Sequence, residues 1–208
     1  MAVRQLPIFG AHDVRRWLFT LAYLAGFVGL DWASYIRPLH GLNITPWNPQ
    51  PALAIVLLMW RPRKLWLVWV GLVAAELLVR GVPSDPLGAL AATIALTATY
   101  AALARAMAAR VGTTAPFRTR RNLFWFAVIV TAGSLVSAFV YVLAVGSGLA
   151  APAGAGMDGA GAVARYWIGD AVGMIVATPV LLGAADTARR AALVATLRSP
   201  EWWATAAM

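Results

Sequence analysis

The chain has 208 residues, of which 61% are hydrophobic and only 12% charged, with a mean hydropathy of +0.73. Soluble domains carry roughly 25% charged residues, so this balance excludes a soluble globular domain and implies an integral membrane protein. The formal charge of +9 fits cationic cytoplasmic loops and not nucleic-acid binding, and a chain with no cysteine has no disulfide, thiolate metal site or cysteine nucleophile.

Six apolar segments are predicted, at 16–36, 51–60, 64–80, 87–109, 122–146 and 162–184. They are continuous and rich in Leu, Ala and Val, unlike the alternating strands of a membrane barrel. The fold class is therefore all-α, a polytopic membrane helical bundle with about six transmembrane helices. Arg15 and Arg16 precede the first segment and mark it as a retained helix, since no small-residue cleavage site follows.

The second segment is too short to cross alone. From Pro51 to Trp60 a helix covers about 15 Å, half the hydrocarbon thickness. The preceding "NITPWNPQ" holds Pro46 and Pro49, which break any continuous helix. It is expected to complete the span as a re-entrant or unwound turn that dips into the bundle and lines a cavity, because broken backbone at membrane depth must face protein or water. An ordinary outer loop anchored by its tryptophan is the alternative.

Fourteen of the seventeen basic residues fall on alternate connections: Arg4, Arg15 and Arg16; Arg61, Arg63 and Lys64; Arg105, Arg110, Arg118, Arg120 and Arg121; Arg189, Arg190 and Arg198. The positive-inside rule then predicts a multi-pass membrane protein with a cytoplasmic N-terminus. The stretch at 146–162, rich in Gly and Ala, reads as a flexible outer loop. At the end, Ser199, Pro200 and Glu201 announce a further helix. The chain is accordingly expected to be a domain, 1–208, cut at the start of a seventh helix, with a short interfacial helix as the alternative.

Ionisable groups inside such segments are expensive and face the bundle interior or water. Asp170, flanked by Gly169 and Gly173, is the sharpest case; it needs a partner from Arg165, Arg80, Arg37 or the amides of Asn48 and Gln50. Glu76 and Arg80 stand four residues apart and are expected to pair along one helix face. Asp31 and Arg37 read as interface residues, and Pro179 as a kink or end of the sixth segment. Catalysis finds no support: His12 and His40 fall on opposite sides of the membrane, and the sequence holds no metal-ligand spacing, phosphate-cradling loop or carboxylate cluster. No enzyme activity, metal or cofactor is expected.

Two stretches, "ITPWNPQPALAIVLLMW" and "YWIGDAVGMIVATPVLL", together resemble the membrane-associated sensor domain of the first type (MASE1-like), found at the N-termini of bacterial sensor histidine kinases and diguanylate cyclases. The matching positions are Trp47 and Pro49, then Trp167, Gly169, Asp170, Gly173 and Pro179; Pro51 stands where the family often has glycine. The resemblance implies a domain of about eight helices and a sensory input role, relayed in a two-component or similar signal-transduction protein to a cytoplasmic output module. Trp47, Asn48, Pro49, Gln50, Trp167, Asp170 and Arg165 form the expected ligand site, with Gly169, Gly173, Pro179, Glu76 and Arg80 as packing residues. The expected partners are the lipid bilayer, an unknown small-molecule ligand, a membrane partner protein and a second copy joined through the output module, with no nucleic acid. A six-helix substrate-binding subunit of a transporter is the alternative, and a stop codon directly after Met208 would favour it.

Overall fold

The computed structural model describes residues 11–35, 47–83, 85–113, 117–146, 159–186, 190, 191 and 195. Its elements are all helical: α1 (Ala11–Ser34), α2 (Gln50–Trp60), α3 (Leu65–Ala75, continued by a π-helical turn at Glu76–Arg80), α4 (Pro86–Arg110), α5 (Arg120–Gly146) and α6 (Gly159–Ala185). The all-α bundle is thus as the sequence predicts, with several boundaries moved by a few residues. Residue 146 belongs to α5 and residues 159–162 to α6, not to the outer loop, while 147–158 and the expected helix at Ser199 lie outside the described residues.

Two prolines fall where they do least harm. Pro51 is in the first turn of α2 and Pro86 opens α4, positions whose N–H would have no helical partner in any case. Asp85 caps α4, its carboxylate accepting from the Gly88 amide at 3.0 Å. Thr119 accepts from the Asn122 amide at 3.2 Å, while the Asn122 side chain donates to the Val111 carbonyl at 3.1 Å and ties the α4–α5 turn together. Gly81 closes the π turn at φ +88, a left-handed conformation that glycine adopts without strain. Pro179 does not end α6, which continues to Ala185.

Neighbouring contacts fix the direction of every helix. Phe27 packs on Gly71 and Asp31 meets Arg80, so α1 and α3 run parallel. Gly26 lies against Leu53 and Arg61 covers the Phe19 ring at 4.9 Å, so α1 and α2 are antiparallel. Leu103 fills the space at Gly133, and Gly88 approaches Ala144, making α4 and α5 antiparallel. Ala138 packs with Ala162, and Trp167 reaches Thr131, which sets α6 antiparallel to α5. Small residues at these crossings let backbones and large side chains approach closely, the packing that holds helices together where lipid supplies no hydrophobic drive.

The result is strict up-and-down alternation. It gathers the described Lys and Arg residues at one end of the bundle, Arg80 and Arg165 excepted. Helices α4, α5 and α6 are long and apolar enough to cross a membrane by length and composition; α2 is a shorter apolar helix. Nine of the eleven residues of α2 are buried, as suits a helix that is apolar all round. It packs against α6, α4 and α1 and forms the centre of the bundle.

Candidate functional site

The turn before α2 docks on α6 through three contacts at neighbouring positions. The Asn48 backbone N–H donates to the Gly169 carbonyl at 3.0 Å. Its side-chain amide donates to Asp170 Oδ1 at 2.9 Å. One turn further along α6, Gly173 faces the Asn48 carbonyl and the Pro49 nitrogen so closely that a Cβ there would overlap them. The two motifs are therefore halves of one polar clasp.

Local sequence explains the geometry. A residue at the end of a proline-broken stretch has no helical partner for its N–H, so Asn48 spends that donor on α6. Gly173 has no side chain, which lets a turn backbone lie on the helix surface. The small residues at 169 and 173 thus admit a turn. Asp170, Met174 and Thr178 follow at four-residue spacing on the same buried face.

At these residues the turn dips into the bundle as expected, but it is closed to the surface. Asp170 is 1% exposed, Gln50 5% and Asn48 8%; Asn48 and Asp170 meet in a closed contact. Asp170 finds the Asn48 amide, one of the partners expected for it, and among the described residues it forms no ion pair with a cationic side chain. Its second oxygen, Oδ2, has no hydrogen-bond donor, and neither do Asn48 Oδ1 and Gln50 Oε1.

Other expected site residues stand apart from the clasp. Trp167 is half-buried and donates its indole N–H to the Thr131 carbonyl of α5 at 2.9 Å. Arg165 is exposed, five residues before Asp170 and so about 140° around the helix from it. Trp47 is 40% exposed beside the clasp. Arg37 lies outside the described residues.

A second polar centre joins α1 to the end of α3. Arg80 grips Asp31 with both terminal nitrogens, at 2.9 and 3.0 Å, and Glu76 stands farther off at 3.5 Å. The expected Glu76–Arg80 contact is present, but Asp31 is the closer partner. Asp31 itself is 2% exposed, which corrects its reading as an interface residue. Sequence reasoning missed this pair because the local i, i+4 spacing already offered Arg80 a partner. The signal available was Asp31 itself, a carboxylate inside an apolar segment that must be compensated.

The model of the MASE1 family matches residues 14–205 of the chain. No curated protein and no solved structure gives a match.

Proposed function

The chain belongs to the MASE1 family of membrane-associated, non-catalytic sensory domains of signalling proteins, and on that premise we propose that it is the input domain of a bacterial inner-membrane receptor with its basic end in the cytoplasm. The gathering of arginines at one end of the alternating helices supports this orientation. In this reading all six helices serve as crossings, α2 completed by the turn in front of it. A cytoplasmic output module, a histidine kinase or diguanylate cyclase, receives the signal and brings two copies together.

The observation that carries the reading is the clasp. A turn on the non-cytoplasmic side is held to α6 by one side-chain hydrogen bond, one backbone hydrogen bond and a glycine contact. A stimulus that binds better to the open or to the closed arrangement shifts the balance between them, by no more than its difference in affinity. Because α6 runs from the clasp to the basic end, and Pro179 interrupts its hydrogen-bond ladder on the way, a change at Asp170 is delivered to the cytoplasmic side as a movement of that helix.

The test is the output of the parent signalling protein in cells carrying Asp170→Asn. The substitution keeps the shape of the side chain and removes its charge. A several-fold change in basal or stimulated output at an unchanged membrane level is expected, whereas output identical to wild type would remove Asp170 from the signalling path.

A further inference from the structure

The side-chain contact between Asn48 and Asp170 contains more acceptor than donor. Asp170 brings two oxygens and Asn48 one, joined through a single N–H; Asp170 Oδ2 and Asn48 Oδ1 remain without donors, and both side chains are more than nine-tenths buried. Gln50, two residues along the same segment and equally buried, adds a third such oxygen. Leaving buried acceptors unmet is unfavourable, and leaving a buried carboxylate without a counter-charge is more so.

We propose that the clasp is a binding site for a dehydrated monovalent cation, held by Asp170 Oδ2 and by the amide oxygens of Asn48 and Gln50. Hard cations take oxygen ligands from carboxylates and amide carbonyls, and ionisable residues inside membrane bundles mark ion sites. Charge decides the valence. Among the described residues no three His, Asp or Glu side chains gather, and Asp170 is the one carboxylate of the clasp. A singly charged ion is balanced there, while a divalent ion would leave a buried net charge. The Asn48 amide orientation is fixed by its bond to Asp170 Oδ1, which leaves its oxygen as the ligand.

The proposal rests on the sensory reading and gives its site a ligand class: occupancy by the ion ties turn 47–49 to α6, and loss of the ion loosens it. Ligand bound only by the folded form raises stability with the logarithm of its concentration. The experiment therefore measures thermal unfolding of the chain in lipid nanodiscs at fixed pH and ionic strength, exchanging choline for lithium, sodium or potassium. A saturable rise of the midpoint with at least one alkali ion and not with choline is expected, together with its loss in Asp170→Asn. Asn48→Ala, which keeps the carboxylate, is expected to weaken the apparent affinity about tenfold, and serves if Asp170→Asn cannot be recovered from the membrane.

Equal midpoints in all four salts would overturn the proposal, as would an alkali-ion response retained in Asp170→Asn. A cation-insensitive protein whose signalling still changes on Asp170→Asn would leave the sensory reading standing. Normal signalling in that variant would end it whatever the salts do.

Discussion

The Asp31–Arg80 pair and the Asn48–Asp170 clasp both join buried elements of the bundle, yet they are built differently. In the first, a guanidinium meets a carboxylate in two parallel bonds at 2.9 and 3.0 Å, so the carboxylate has a counter-charge and a donor for each oxygen, although Arg80 Nε finds no acceptor. In the second, a neutral amide offers one N–H to a carboxylate and leaves oxygens unmet. A matched pair is a fixed latch between α1 and α3. An unmatched one retains a demand that an ion, a ligand or a change of helix position can satisfy, and for that reason the sensing role is assigned to the clasp.

Breaking the latch gives the largest expected effect. Arg80→Ala leaves Asp31 buried without a counter-charge and should lower stability by about 3–5 kcal/mol, whereas removing both charges should restore most of the loss. Thermal unfolding of Arg80→Ala and of the double variant Asp31→Asn/Arg80→Gln checks this. A double variant as unstable as the single one would show that the pair does more than balance charge.

Next comes the glycine contact. Gly173→Ala places a methyl group where the Asn48 carbonyl lies, and a rigid turn backbone cannot yield as a flexible side chain would. A loss of about 1–3 kcal/mol is expected, as for overpacking. It should be accompanied by faster amide hydrogen exchange in residues 47–52, the turn and first residues of α2. Protection in that segment equal to wild type would mean that the turn does not rest on α6.

The sequence revealed the clasp better than the latch, for physical reasons. Both halves of the clasp carry their own signals: prolines that cannot enter a helix, and a carboxylate between glycines in an apolar run. Each is unexplained alone, and together they account for one another. The length shortfall of α2 and the alternation of arginines were legible for the same reason, since bilayer thickness and loop charge act on the sequence directly. The latch joins positions 49 residues apart, and each member has a plausible local role. Arg80 closes the π-helical turn at Glu76–Arg80, a change of helical register that periodicity does not encode. Nor could the sequence tell an open recess from a closed contact, because that depends on how nearly the Asn48–Pro49 backbone approaches Gly173.

The most direct test of the clasp is a double-mutant cycle on thermal stability in nanodiscs, using Asn48→Ala, Asp170→Ala and the two together. Side-chain hydrogen bonds between membrane helices are worth on average about 0.6 and at most about 1.7 kcal/mol, so a coupling of that size is expected. Effects that add to within about 0.3–0.5 kcal/mol, the behaviour of independent sites, would contradict the claim that these two residues hold the turn to α6.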